Sequence, residues 1–422
     1  MKWRYDHLIK MRVWHITRTL HGGAGIYAQR LSDALCAGGV DSRVLCTDSQ
    51  EPGEIGQLRT SAGPVSRFVT RVVRSMSHRL SSAPFHSMMG LETCRAQQMP
   101  ASGDIIHLHG LTGWMGLRGL KALIPDNSRV LWTTHDLWPL SGGCVLYSGC
   151  DRYRGDCGGC PILSQGVKSW AKTELMMKAK FVRDKKVHPV ANSRWMAGHI
   201  QESRVFRNSG EVSVMPPIMD PVYFATEFIN IREKLNIAPQ KKVLALGARA
   251  VTDRYKGIPE FLVALARRSK LAEQCVVLLF GDGELELPAN LDVIALGRLN
   301  SAEEIAQVYH ASDVFVSPSA METFGMALAE AQACGTPVAA FDVGGVRDAV
   351  SGECSEYLVP NADWESLLNA VEQVIEKESP NGGRWRVSRD WAKEHFEASV
   401  IGAKQMAVYA QQDCHLLGSS SC

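Results

Sequence analysis

The stretch from Val314 to Gly345, VFVSPSAMETFGMALAEAQACGTPVAAFDVGG, limits the folds open to this chain more than any other. A β-branched and aromatic run, Val314, Phe315 and Val316, ends in the turn-rich SPSAMETFG. The helix former MALAEAQAC follows, and Gly335 and Pro337 stop it. The pattern is strand, loop, helix, strand. Glu322 falls in the loop and Glu330 inside the helix, with small residues at Gly325, Ala327 and Ala329 that let a ligand approach the backbone. The amides of Phe324, Gly325 and Met326 open the helix without intrahelical partners, so they suit an anion above its start, and a diphosphate fits there. Glu330, about two turns deep, would repel phosphate but accept hydrogen bonds from a neutral diol such as ribose. Glu322 would then face the other end of the same ligand. An ordinary amphipathic helix with two solvated glutamates is the competing reading of the bare spacing. The run around it weighs against that.

These residues resemble the retaining sugar-nucleotide glycosyltransferases of family four, with Glu322 and Glu330 as the E-x7-E signature and SPSxxETFGMALAEAQACGTPVAA as its setting. The resemblance implies an α/β chain of GT-B fold, in which two Rossmann-like domains face a cleft and a C-terminal helix crosses back to the first domain. The expected divisions are an acceptor domain over 11–215, a donor-nucleotide domain over 216–384 and the crossing helix over 385–414. The first boundary follows VSVMPPIMDPVYF, a strand running into a proline-rich hinge at Pro216, Pro217 and Pro221.

With 422 residues the chain exceeds one ordinary core, which fits two α/β domains. No apolar run approaches the ~20 residues that span a bilayer. The opening MKWRYDHLIKMRVWHIT is charged where a signal peptide would be apolar, so a cytoplasmic protein is expected, and its twelve cysteines suit metal ligation or free thiols better than disulfides. A net charge of +2 hides an asymmetry: residues 1–215 hold 28 Lys and Arg against 16 Asp and Glu, so the front half is +12 and the remainder −10. A basic front half suits membrane headgroups or a lipid-linked phosphate. Nucleic acid would call for a reading motif, and none is present.

Along the front half, Gly22, Gly23 and Gly25 lie between a strand and a helix, where backbone amides can meet a phosphate or a sugar. A plain tight turn is the alternative, and the resemblance places the family's N-terminal glycine loop here. From Val65 to Met89, Arg67, Arg71, Arg74, His78 and Arg79 are spaced along one side of a helix, with Val69, Val72, Val73, Met76 and Leu80 along another. That helix either packs on its own domain or docks on anionic lipid, which would place the protein peripherally at the inner face of the plasma membrane. The strands of GDIIHLHG and RVLWTTHDLWPLSGGC end at His109 and at His135 and Asp136, and ligands collect at such carboxyl ends. A lone histidine is usually structural. The resemblance implies that His135 contacts the donor sugar, with His109 in an HxHG-like pattern.

The loop 144–160 places Cys144, Cys150, Cys157 and Cys160 at C-x5-C-x6-C-x2-C spacing, closing on C-G-G-C. Structural zinc is the leading reading, with an iron–sulfur cluster and unligated or redox cysteines as alternatives. This loop and its lead-in THDLWPLSGGC resemble a subset of exopolysaccharide and colanic-acid-type glycosyltransferases. VHPVANSRWMAGHI, with Asn192 and Ser193 at its turn, resembles the last strand and helix of the family's first domain.

The back half opens with KKVLALGARAVTDRYKGIPEF, where Arg249 and Lys256 lie at a ligand-facing edge. Two fixed cations are what a departing nucleoside diphosphate needs when no metal helps. The resemblance assigns the diphosphate to an Arg and a Lys-Gly of this loop, which is longer here than the commoner spacing, so Arg254 rivals Arg249. Gly281 and Gly283 follow a buried strand, and Asp282-Gly283-Glu284 reads as a turn rather than a metal-binding Asp-x-Asp. Gly297 to Leu299 match where the family's backbone meets the nucleotide base. Gly344, Gly345 and Asp348 begin another helix, and Trp391, Phe396, Val400 and Tyr409 form a core-facing helical stripe.

The expected activity is retaining transfer of a hexose from a nucleoside-diphosphate sugar, with no cofactor required for catalysis, to a hydroxyl of a glycan or lipid-linked acceptor in cell-surface polysaccharide or lipopolysaccharide biosynthesis. His135, Glu322, Arg249 and Lys256 are the expected catalytic residues. Gly22, Gly23, Gly297, Leu299, Phe324, Gly325, Met326 and Glu330 are expected to complete substrate binding. A sugar-nucleotide epimerase, or a non-catalytic glycosyltransferase-like subunit, is the alternative.

Overall fold

Short runs of aliphatic and aromatic residues, buried almost end to end, organise both halves of the chain. A computed structural model describes residues 11–47, 55–61, 64–88, 93–96, 98–114, 116–377 and 383–417. It divides into a first unit, residues 1–218 with 399–422, and a second unit, residues 219–398.

The first unit carries a sheet in the order β3-β2-β1-β6-β7-β8-β9: β1 (Arg12–Ile16), β2 (Asp41–Cys46), β3 (Ile55–Gln57), β6 (Ile105–Leu108), β7 (Arg129–Thr134), β8 (His188–Ala191) and β9 (Ser213–Val214). Every pairing in it is parallel. Parallel strands are covered on both faces by their crossover helices, which is why RVWHI, IIHL and RVLWTT read as continuous rather than alternating apolar runs. β4 (Arg59–Ser61) and β5 (Thr93–Arg95) form a separate antiparallel ribbon. Trp132 anchors the core, edge-on to Trp138, Phe181 and Phe206.

The second unit carries six parallel strands in the order β12-β11-β10-β13-β14-β15: β10 (Lys242–Ala250), β11 (Cys275–Asp282), β12 (Asp292–Gly297), β13 (Val314–Ser317), β14 (Val338–Phe341) and β15 (Leu358–Val359). Both orders are those of two Rossmann-like sheets, each reversing beside its first strand.

Two expectations need correction. The helix Gly383–Phe396 belongs to the second unit, so the chain returns to the first at residue 399 and not at 385. Phe396 stacks edge-on with Phe324 at 5.5 Å, and its carbonyl accepts the amide of Met219 at 3.0 Å, which ties that helix to the second core. The helix Ala398–Leu417 then lies on the helix Gly23–Ala37, with Gly402 close to Ala34. The basic helix spans Pro64–Arg79 rather than reaching Met89. Beyond it Ser81 and Phe85 form isolated bridges with Leu163 and Cys144, which pull the chain out of helical geometry. Among the described residues no helix is long and apolar enough to cross a membrane.

Candidate active site

In the second unit the sheet reverses between β10 and β13, and the loops leaving those two strands carry the charged residues singled out above. At the end of β10 the register against β11 shifts between Gly247 and Ala250, and the ring of Phe280 fills the space a Cβ on Gly247 would need. Arg249 follows, exposed, with no hydrogen bond or ion pair among the described residues. Arg254 is differently placed: its guanidinium lies 4.8 Å from the ring of Tyr255 and donates to the Tyr255 hydroxyl at 2.8 Å.

The loop after β10 is joined to the loop after β13 by backbone. The amide of Ala320 donates to the Tyr255 carbonyl at 2.9 Å, and Gly257, at φ +62, leaves only 2.2 Å between a built Cβ and the Pro318 carbonyl oxygen. This close approach brings Lys256 Nζ to 2.6 Å from Glu322 Oε1. Glu322 is fixed on its other side as well. Its carbonyl accepts the Gly345 amide at 3.0 Å, and Gly344 at φ +55 has no room for a Cβ, which would sit 1.9 Å from that carbonyl oxygen.

The helix Met326–Ala333 begins at Gly325, at φ +102 and ψ +55, a residue with no side chain to cap it. Its first amides therefore lack the side-chain acceptor that usually covers a helix start. Phe324 turns its ring into the core, leaving its backbone as the part that can meet a ligand. Glu330 is half-buried, and its Oε2 accepts from the Tyr309 hydroxyl at 3.5 Å, the long limit of a hydrogen bond. Burial first, and the Glu330 charge second, push the Tyr309 hydroxyl well above its ordinary pKa, so it stays a donor. Gly297 ends β12 at φ +65, with Leu299 half-buried beyond it, and Gly283 at φ +103 makes the turn expected of Asp282-Gly283-Glu284.

In the first unit, Gly22 at φ +84 caps the helix Gly23–Ala37, and Gly25 sits so tightly that a Cβ would meet the Thr19 carbonyl oxygen at 2.1 Å. His135 ends a chain of rings. His15 Nδ1 lies 3.0 Å from His109 Nε2, and His109 Nδ1 lies 3.3 Å from His135 Nε2. Beside them His107 bonds the Tyr409 hydroxyl and the Thr133 hydroxyl, each at 2.7 Å. His15, His107 and His109 are fully buried, and burial drives all three pKa values down, that of His15 to about 3. Asp136, next in the loop, accepts from the Trp138 amide at 2.8 Å and the Thr112 hydroxyl at 3.0 Å, and burial raises it to about 6.

His15 and His107 escaped the sequence reading. They meet because β1 and β6 pair with His15 opposite His107, a register that alternation in IIHLHG cannot reveal. The cluster has a measurable consequence. Unfolded, these histidines titrate near 6.5; folded, they stay neutral far below it, so the unfolded chain binds the extra protons. Stability is then full above pH 6.5 and falls as pH drops below it, because the unfolded chain takes up protons that the buried rings refuse. Asp136 opposes one of them, since between 3.8 and about 6 the fold holds its proton and the unfolded chain does not. Urea midpoints should therefore drop steeply from pH 6.5 to pH 5. A flat profile over that window would contradict the neutral cluster.

The ring nitrogens of His15, His107 and His109 lie within 4.8 Å of one another, the closest grouping of potential metal ligands among the described residues. Those of His107 and His109 are already engaged within the cluster and by Thr133 and Tyr409. The four loop cysteines are all free thiols; Cys144 and Cys160 are in contact, and that contact draws the Cys160 thiol down to about 6.

Residues 21–222 match the family described as Glycosyltransferase Family 4, and residues 227–390 match Glycosyl transferases group 1. The D-inositol 3-phosphate glycosyltransferase of Arthrobacter sp. (strain FB24) is 27% identical over 370 residues, 83% of this chain and 82% of the relative. Among solved structures, the sucrose-phosphate synthase of Thermosynechococcus elongatus superposes with a TM-score of 0.65 at 20% identity, over 96% of this chain and 100% of the other. HepE of Anabaena, solved in complex with UDP-glucose, gives 0.62 at 16% identity, over 95% and 100%.

Proposed function

We propose that this chain, which carries the family 4 and group 1 domains of a GT-B glycosyltransferase, transfers a hexose from a nucleoside-diphosphate sugar with retention of configuration. The single observation that carries this reading is the ion pair of Lys256 with Glu322 at 2.6 Å, set beside a helix start whose N-cap residue is a glycine.

In this reading the diphosphate lies over the helix start at Gly325 and Met326, with Lys256 and Arg249 supplying positive charge as the phosphate leaves. Donors fixed in advance cost no reorganisation when the charge develops. Glu322 holds Lys256 in place and orients the sugar, Glu330 accepts the ribose hydroxyls, and the backbone from Gly297 to Leu299 meets the base. The departing phosphate oxygen assists removal of the acceptor proton, so neither a covalent sugar intermediate nor a catalytic metal is invoked. In the first unit, taken by itself, His135 and the glycine loop at Gly22 and Gly23 are the candidate substrate contacts.

Two acceptor classes compete. The Arthrobacter relative is named for D-inositol 3-phosphate, which favours a phosphorylated polyol. The cysteine loop and the basic first half favour a lipid-linked glycan. The exposed stripe Val65, Phe68, Val72 and Met76 on the helix Pro64–Arg79, flanked by exposed Arg71, supports contact with an anionic membrane, Val65 being 74% and Phe68 67% exposed. Arg67, Arg74 and His78 have side chains outside the described residues. Phe68→Asp should cut sedimentation with anionic vesicles about tenfold, in line with the loss of one buried aromatic. Equal binding by the variant would remove the membrane from the account.

Incubating labelled sugar nucleotides with either inositol phosphate or a membrane lipid extract tests the reaction itself. Label in an acceptor product with the anomeric configuration kept is the expected result. An isomerised sugar nucleotide formed without acceptor would make the protein an epimerase and sink the proposal.

A further inference from the structure

Residues 141–169 contain only two short 3-10 turns, Arg152–Arg154 and Gln165–Val167, yet this long segment is firmly folded. Tyr153, Cys157, Cys160 and Leu163 are buried, the Cys157 amide donates to the Arg152 carbonyl at 3.0 Å, and the Arg204 amide donates to the Tyr153 carbonyl at 3.1 Å. Loops of such length are uncommon in compact domains and usually carry a function of their own. Inside C-G-G-C, Cys157 takes φ +54 and Gly159 φ +64, so the chain doubles back between the two thiols. That turn gathers two thiols at one end of the loop, and the thiolate is the form that binds metal.

An independent observation comes from the helix Trp170–Asp184. Lys178 is 0% exposed, and its Nζ donates to the carbonyls of Trp138 at 2.5 Å and Ser141 at 3.0 Å and lies 4.1 Å from the Trp138 ring. Among the described residues no carboxylate comes within ion-pair distance of it. The nearby Glu174 instead serves Ser87, the Met88 amide and Trp170. A buried ammonium is costly; the charges of Glu174 and Asp136 act on it first, and Cys144 and Cys157 are near enough to add to them.

We propose that Cys144, Cys150, Cys157 and Cys160 together bind one zinc ion, and that Lys178 offsets the net negative charge of the resulting tetrathiolate. Four thiolates around one divalent ion leave two negative charges, and binding releases up to four thiol protons. No three of these sulfurs lie within 4.8 Å of one another, so the ion would draw the loop tighter. Because Lys178 also holds the carbonyls of Trp138 and Ser141, tightening stiffens the turn that follows His135 and Asp136. Thiolates favour zinc, whereas in the buried histidine trio the nitrogens of His107 and His109 are spent on hydrogen bonds, which leaves His15 Nε2 alone without a partner among the trio's nitrogens.

The test is metal analysis of the full chain purified without added metal, with hydrogen exchange before and after chelation. About one zinc per chain is expected, with faster exchange over residues 137–163 once zinc is removed. Cys150→Ser, at the most exposed end of the loop, should weaken zinc at least about tenfold in chelator competition, as should Lys178→Met if it folds. An iron–sulfur chromophore, a Cys144–Cys160 disulfide, or four freely titrating thiols in folded, metal-free protein would each overturn the proposal.

Discussion

Lys256→Ala should lower kcat for sugar transfer by about 10²–10³-fold, with a much smaller change in KM for the donor. The ammonium is not free to wander, since Glu322 holds it at 2.6 Å and Gly257 presses its loop against Pro318. A cation fixed before the reaction gains most when the diphosphate takes up charge on leaving, so its loss falls on the transition state. Lys256→Arg should recover only part of the rate, because the planar fork does not reproduce a point charge at that place. A variant with unchanged kcat and raised KM would show that Lys256 only binds.

Gly344→Ala should damage the same place by a different route. The added methyl would stand 1.9 Å from the Glu322 carbonyl oxygen, and that neighbour is backbone, held by the Gly345 amide at 3.0 Å. Left-handed φ adds strain, and the clash must be relieved by moving either the glycine turn or Glu322 itself. A loss of about 2–4 kcal/mol is expected, read as a fall of about 5–10 °C in the melting of the second unit, together with a large loss of transfer. Gly352→Ala is the control, since nothing lies within 4 Å of its Cβ position and its φ is ordinary. Similar melting for Gly344→Ala and the control would mean that Glu322 is not braced in this way.

The strands and helices around Val314–Gly345 were legible because each announces itself locally, through β-branched runs, a glycine start and a Gly-Thr-Pro stop. The pairing of Lys256 with Glu322 was not, since it joins residues 66 positions apart through a loop contact at Gly257. Arg249 and Arg254 were indistinguishable in sequence, and only the Tyr255 ring beneath Arg254 separates them. Periodicity placed Trp391, Phe396 and Tyr409 on core-facing helices but could not say which core. Phe396 went to the second unit and Tyr409 to the buried histidines of the first. Lys178 gave no signal at all, because a lysine in WAKTELMMKAKFVRD reads as a solvated helix position until the turn above it is seen.

The central claim is that a nucleoside diphosphate is gripped at the carboxyl edge of the second sheet, with its ribose on Glu330. Titrating the preferred nucleoside diphosphate and its 2′,3′-dideoxy analogue against wild type and Glu330→Ala tests this most directly. The wild type should prefer the ribose form by roughly 10–100-fold, the range for hydrogen bonds to a charged acceptor, and the variant should lose that preference. If the wild type binds both forms alike, or if Glu330→Ala still prefers ribose, the nucleotide lies elsewhere.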